Sequence, residues 1–449
     1  MTLERVGIER IPTESRQGKP GSLFNLWFAA NLTIADFALG FIPISLGMNF
    51  LSSLISIIIG NILGAAVVGF SAIMGPRTGY PQMMGTTNSM GRRIMRLFGV
   101  VNLSNTVGWF VVNNILSVLA LYLIFGTTYL LLIPLFVLIV YVVAYLGHNY
   151  IHRVERILSY VLGALFVIIL AKVLFFSPLQ MTSMSRLSLS SVSLDISFFG
   201  MIAFTYSYLM SWGPYASDYS RYLPNNISLK KVFFNTFLGS LISATFVEIV
   251  ALIISFITLS GSSISALKDV SGTLYPLSLV TIALGGIAAN VLNLYSASLS
   301  GLVGGIKISR TRFVGIVAIV GAVLSMLFYN GFYNFFESFL LVLDYWISPW
   351  VAILIIDFVI LKKQKLNFEK KYNWNGVLAY AIGLAVSIPF MNIYLGSFNY
   401  TFIFSKFLGG IDISYFIGFV VAGLVYYLTE SRQRSSSSRL RVPNSKSAP

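Results

Sequence analysis

The polar side chains with chemistry to offer lie inside long apolar runs. Asn105-Thr-Val-Gly-Trp109-Phe-Val-Val-Asn113 puts Trp109 and Asn113 four residues apart on one helical face, with Asn105 one turn earlier. An indole stacks on a flat ring and a carboxamide offers both a donor and an acceptor, so this face suits a planar, hydrogen-bonding ligand; it would equally serve as a polar seam between helices. Gly285-Gly-Ile-Ala-Ala-Asn290 leads through Asn293 and Tyr295 to Ser298, and its small residues let either a ligand or another helix come close. Two further stretches carry helix-breaking residues. Tyr206 to Pro224 holds Tyr208 and Trp212, then Gly213-Pro214, then Asp218 and Arg221; Asn31-Leu-Thr33-Ile-Ala-Asp36 is followed by Gly40 and Pro43.

Ionisable groups in apolar spans are costly and are by default functional or paired. Asp36, Lys172, Glu248 and Asp344 are read as such groups. Lys172 and Asp344 fall at similar depths, so an intramembrane pair of Lys172 with Asp344 or Glu248 is one expectation, and snorkelling of Lys172 to the interface is the other. Asp36 is a candidate substrate-binding residue and, with Thr33, a candidate site for a coupling ion. His148 and His152 have metal-ligand spacing, but without cysteine or a dense carboxylate set they are read as a surface pair. No catalytic residue, metal site or cofactor is expected, because no acid and base cluster, the chain has no cysteine, and no phosphate-binding Gly-x-x-x-x-Gly-Lys loop is present.

The elements that hold these residues follow from composition. Of 449 residues, 56% are hydrophobic and only 10% charged, and the mean hydropathy is +0.82. Such a chain has too little charge to cover a soluble surface and reads as an all-α polytopic protein whose partner is the lipid bilayer. Twelve apolar segments are long enough to span, near 23–48, 50–74, 97–124, 129–147, 157–176, 196–213, 232–260, 275–300, 312–329, 337–361, 375–396 and 413–429. With both termini in the cytoplasm, all of the 30 basic residues except Lys172, Arg186, Lys268 and Lys406 fall in inside segments. The net charge of +15 is therefore topological, and no nucleic-acid partner is inferred. Residues 1–22 are expected to be a cytoplasmic segment with no cleaved signal, 430–449 a disordered cytoplasmic tail, and Ser262 to Thr273 a short outer cap or plain loop. Spans one and six are both interrupted. They open two sets of five, 23–176 and 196–361, as an inverted repeat with a midplane site requires, with 375–429 as two added helices.

Trp212-Gly-Pro-Tyr-Ala-Ser-Asp-Tyr-Ser-Arg-Tyr-Leu-Pro224 resembles the sixth-helix signature of the nucleobase:cation symporter family that contains the purine and cytosine permeases. Gly108-Trp109-Phe110 with Asn113, Ala289-Asn290 with Tyr295-Ser-Ala-Ser298, and Pro76-Arg-Thr-Gly-Tyr-Pro81 resemble its third-helix, eighth-helix and cytoplasmic-loop segments. The resemblance implies the five-plus-five repeat of leucine-transporter-type carriers and alternating access around a planar heterocycle in the plasma membrane. It also implies that Trp109 stacks on the ligand, that Asn113 and Asn290 bond its edge, and that a sixth-helix aromatic covers the other face. The literal alignment falls on Leu209, flanked by Tyr208 and Trp212. Where sodium-coupled relatives have two hydroxyl residues this chain has Leu284 and Gly285, with Ser278 and Thr281 as the nearby substitutes, so H+ is favoured over Na+. A glutamine of some cytosine carriers is Thr106 here, which leaves the base open. The alternative is a carrier of another small solute, such as a vitamin, allantoin or hydantoin, or an amino acid.

Overall fold

The computed structural model describes residues 3–176, 187, 191–259, 263–395 and 398–439. It is built mainly of helices. The first span is a broken set of α1 (Gly21–Ala30), α2 (Ile34–Leu39) and α3 (Ile42–Ser45), followed by α4 (Phe50–Ala72), α5 (Met74–Thr78) and α6 (Thr86–Met90). Three long helices come next, α7 (Arg92–Phe125), α8 (Tyr129–Leu146) and α9 (His148–Phe176). The second interrupted span is α10 (Ile196–Met210) and α11 (Ala216–Ser220), and then α12 (Leu229–Thr258), α13 (Ser263–Ser271), α14 (Tyr275–Gly304), α15 (Arg310–Phe328) and α16 (Phe332–Ile355). The chain closes with α17 (Trp374–Ser387), a hairpin of β1 (Asn392–Leu395) and β2 (Phe398–Thr401), α18 (Ile403–Phe407) and α19 (Ser414–Arg439). Among the described residues eight helices are long and apolar enough to cross a membrane, and the bent pair Gly21–Ala30 with Ile34–Ser45 makes a ninth.

Both breaks have local causes. At the first, the Asn31 side chain donates to the Trp27 carbonyl at 2.7 Å, and Thr33 turns extended (φ −116°, ψ 163°) to cap α2 through Asp36 N at 3.2 Å. The two halves meet at 59°. At the second, Gly213–Tyr215 is a short 3₁₀ turn with Pro214 inside it.

Close backbone contact holds the bundle. A Cβ on Gly60 of α4 would overlap Thr205 Oγ1 and stand 2.5 Å from the Ile202 carbonyl oxygen, and one on Gly64 would stand 2.7 Å from Leu209 Cβ, so α4 lies directly on α10. A Cβ on Gly285 of α14 would overlap the Leu32 carbonyl oxygen at the first break, and one on Gly40 would overlap the Glu248 carbonyl oxygen of α12. α8 and α15 instead turn apolar side chains outward, including Leu131, Leu135, Ile139, Ile319 and Leu327, as helices facing lipid do.

Two expectations change and one open alternative is decided. The eleventh span stops at Ile388–Phe390, because Pro389 tightens the last turn and the following Asn392–Leu395 pairs with Phe398–Thr401 instead of extending the helix to 396. The last helix runs on to Arg439 and so takes in the first ten residues of the expected tail, 430–439. Of the two options for Ser262 to Thr273 the structure takes the cap, α13, with Ala266, Leu267 and Val270 buried.

Gly60→Val is expected to lower the thermal midpoint in detergent by the equivalent of about 1–3 kcal/mol of overpacking. Gly200→Ala, where an added Cβ meets nothing within 4 Å, should leave it unchanged or raise it. Equal midpoints for Gly60→Val and the parent would contradict the contact.

Candidate functional site

Trp109 and Asn113 come from α7, Thr33 and Asp36 from the first break, Tyr208 and Trp212 from α10 and its break, and Asn290 from α14. The structure brings Trp109 and Tyr208 together: their rings stand 5.6 Å apart at 88°, edge to face, and both are buried. Tyr208 is tied across to the first break, its hydroxyl 3.0 Å from Thr33 Oγ1. Asn113 lies a turn beyond Trp109, donates to the Trp109 carbonyl at 3.0 Å, and leaves Oδ1 buried with no donor. A buried acceptor in that condition costs about 1–3 kcal/mol, which a ligand N–H would recover.

Trp212 does a different job. Its Nε1 donates to Asn31 Oδ1 at 2.9 Å, and its ring packs edge-on to Trp27 at 5.5 Å. Of the two aromatic neighbours left open by the sequence, Tyr208 is therefore the one against Trp109, and Trp212 braces the break. Asn290 is also fully engaged: Nδ2 donates to the Phe110 carbonyl at 2.9 Å and to Asn114 Oδ1 at 2.8 Å, while Oδ1 accepts from Asn293 at 3.2 Å. In this conformation it ties α14 to α7. Asn105 continues that seam through Asn102 to Ser300, at 3.1 and 2.9 Å.

The proposed coupling residues scatter. Ser278 meets Ser271 at 3.0 Å and Thr281 donates to the Leu277 carbonyl at 2.8 Å. Asp36 is fully buried and faces Glu248 of α12, the two carboxyls within hydrogen-bonding reach. Glu248 Oε2 accepts from Asn61 at 2.6 Å. The expected pairing of Lys172 with Glu248 is thus replaced by Asn61 and Asp36, because α2 and α4 lie closer to this face of α12; the Asp344 side chain lies outside the described residues. Two buried acids escaped the sequence reading. Asp357 meets Lys363 at 2.5 Å, and Glu155 is buried in α9.

One end of the bundle is closed by the N-terminal segment, which is folded in and not trailing. Glu4 meets Arg221 at 3.3 Å, Tyr295 at 2.9 Å and the Tyr222 hydroxyl, and accepts from His148 N at 2.7 Å. Arg310 donates to the Glu4 carbonyl at 2.7 Å and Arg221 to that of Gly7 at 2.7 Å, and both guanidiniums are buried. Arg16 caps the loop after α5 through the Pro76 and Thr78 carbonyls, at 3.0 and 3.2 Å. Asp218, beside this lock, accepts from Gln82 N at 2.9 Å. His148 is buried and stacked on Tyr222 at 4.0 Å, which corrects its reading as a surface residue; the described residues hold no group of three or more potential metal ligands. Glu4 carried no motif. Its only signal was that acids are scarce, 15 against 30 bases, so that one near several arginines has many suitors.

Residues 10–418 match the family described as "Permease for cytosine/purines, uracil, thiamine, allantoin". A Bacillus subtilis (strain 168) protein named "Putative purine-cytosine permease YxlA" is 29% identical, with 95% of this chain and 96% of that protein aligned. The purine-cytosine permease fcyB of Emericella nidulans is 26% identical over 95% of this chain and 88% of its own. The structure of Mhp1, a nucleobase-cation-symport-1 family transporter in a closed conformation with bromovinylhydantoin bound, superposes with a TM-score of 0.77 at 18% identity, covering 97% of both chains. At that identity the likeness establishes the fold.

With no native cysteine, Ser296→Cys provides a single buried reporter beneath the Glu4 lock. Adding Glu4→Gln, which leaves Arg221 and Arg310 without their shared carboxylate, is expected to raise maleimide labelling of that cysteine at least tenfold; an unchanged rate would contradict the lock.

Proposed function

The chain belongs to the permease family for cytosine/purines, uracil, thiamine and allantoin, and on that premise we propose that it imports a nucleobase or a closely similar planar heterocycle by cation symport with alternating access. It is a membrane permease and not an enzyme. The observation that carries the substrate class is the pairing of Trp109 with Tyr208 above the unused Oδ1 of Asn113. A flat ring stacks on Trp109, Tyr208 moves off its edge contact to cover the other face, and an N–H of the base meets Asn113. Asn290 acts one layer deeper, holding α7 and α14 in register so that Trp109 and Asn113 keep their spacing. The family's range keeps thiamine and allantoin as alternatives, and the flat, hydrogen-bonding site favours a base over an amino acid, whose carboxylate Asp36 would repel.

The proposed frame is twelve spans, with the first ten in a five-plus-five inverted repeat. Interruptions at the first and sixth spans support it, since such breaks pair across the two halves of a repeat. In this reading the Glu4 lock, the basic loops and both termini are cytoplasmic in the plasma membrane, the lock holds the inner gate shut, and the conformation is closed to the cytoplasm.

Protons are favoured over sodium as the coupling ion. Gly285 lets α14 press onto the Leu32 carbonyl at the first break, and with Leu284 beside it leaves no hydroxyl at either position where the sodium-coupled pattern has one. Asp36, capped by Thr33, supplies a protonatable group beside the break.

Uptake of labelled cytosine, adenine, hypoxanthine, uracil and allantoin into proteoliposomes, under separate proton and sodium gradients, is expected to be saturable for at least one base and driven by the proton gradient. Accumulation that needs sodium and survives a protonophore would overturn the ion assignment. Trp109→Ala should weaken binding of that base at least 100-fold with the thermal midpoint held; unchanged affinity would sink the stacking arrangement.

A further inference from the structure

We propose that Asp36 and Glu248 together form a two-carboxyl site that binds a single proton, and that Tyr208 and Thr33 connect this site to the ligand face. The coupling role rests on the transport reading above, whereas the proton site itself does not.

The pair is forced by packing. Gly40 brings α2 against the Glu248 carbonyl oxygen of α12, where any Cβ would collide, and Asp36 lies one turn earlier on α2. Both side chains are fully buried and within hydrogen-bonding reach of each other. Asn61 of α4 donates to Glu248 Oε2 at 2.6 Å and to Thr245 Oγ1 at 3.2 Å. The Asp36 carboxylate oxygens and Glu248 Oε1 meet no donor among the described residues. The described ion pairs engage Glu4, Asp357 and Glu430, not these two acids.

Two carboxylates cannot hydrogen-bond to each other, because each only accepts. One proton turns the repulsion into an O–H···O bond and supplies the missing donor. The remaining Asn61 contact is an NH₂ group donating to Glu248 Oε2, which suits a carboxylate that shares a proton. Among the described residues Tyr208 is a further titratable group beside the pair, and both acids act on it electrostatically. Its hydroxyl meets Thr33 Oγ1 at 3.0 Å, and the same oxygen accepts the Asp36 N–H at 3.2 Å. A ring stacking on Trp109 that displaces Tyr208 therefore loosens the cap of the helix that carries Asp36. Occupancy of the ligand face and protonation of the pair become linked, and linkage of this kind is reciprocal.

The first test needs no substrate. Purified wild type and the double variant Asp36→Asn/Glu248→Gln are titrated in detergent between about pH 5 and pH 10 with a soluble indicator. The wild type is expected to release one more proton per molecule than the variant, and equal counts would overturn the site. The amides imitate the protonated pair, so the variant should fold with an equal or higher thermal midpoint; a collapse of the fold would also count against the proposal. In proteoliposomes, Asp36→Asn and Glu248→Gln should each reduce accumulation of labelled cytosine driven by a pH gradient at least tenfold, while exchange of internal for external cytosine stays within threefold. Accumulation at the wild-type level in both variants would overturn the coupling role. If the wild type releases the extra proton but transports no base, the substrate reading fails and the proton site stands.

Discussion

A backbone group freed by a broken helix at membrane depth has no water to turn to and must be answered from within the protein. In this chain the two breaks answer each other. Trp212, at the edge of the second break, donates to Asn31 in the first, and Tyr208, a turn before it, meets Thr33, which caps the helix that resumes. These two cross-links place the aromatic face of α10 against α7 and seat Asp36 against α12. The Trp109 and Tyr208 pair, the open acceptor of Asn113 and the carboxyl pair are consequences of the same brace.

The brace also limits how the molecule can move. Glycines at 60, 64, 40 and 285 press α4, α12 and α14 onto the interrupted spans with no side chain between them, so these contacts are bistable or absent and do not stretch. Opening the closed end must dislodge Glu4 from Arg221, Tyr222, Tyr295 and His148, groups drawn from several spans. A partly buried carboxylate shared among so many partners is expected to give way all at once, since removing one member leaves the buried Arg221 and Arg310 uncompensated.

Much of this was legible in the residues. Gly213-Pro214 and the Asn31, Thr33 and Asp36 set read as breaks because each offers the backbone an alternative to its helical bonds, and the four-residue spacing of Trp109 and Asn113 fixed their common face. What the sequence left open was register in space. Tyr208 and Trp212 are both aromatic and one turn apart, and only the placement of α7 and of the first break around them decides that one meets Trp109 and the other Asn31. Asn290 looked like a free carboxamide, yet Asn114 and Asn293, its neighbours across and along the helices, absorb it. Depth along a span says nothing about which face a helix turns, so Asp344 and Glu248 were equal candidates to meet Lys172; the face that Glu248 presents is set by Gly40, some 200 residues away in the chain. The hairpin after α17 was hidden because a short apolar run reads equally as the end of a helix or as a strand.

The most direct test of the central claim is an experimental structure of the protein with a transported base bound. The base plane should lie on the Trp109 indole, with an N–H directed at Asn113 Oδ1 and the Tyr208 hydroxyl withdrawn from Thr33. A base held instead against Trp212 and Trp27, with the Trp109 and Tyr208 edge contact intact, would contradict the account.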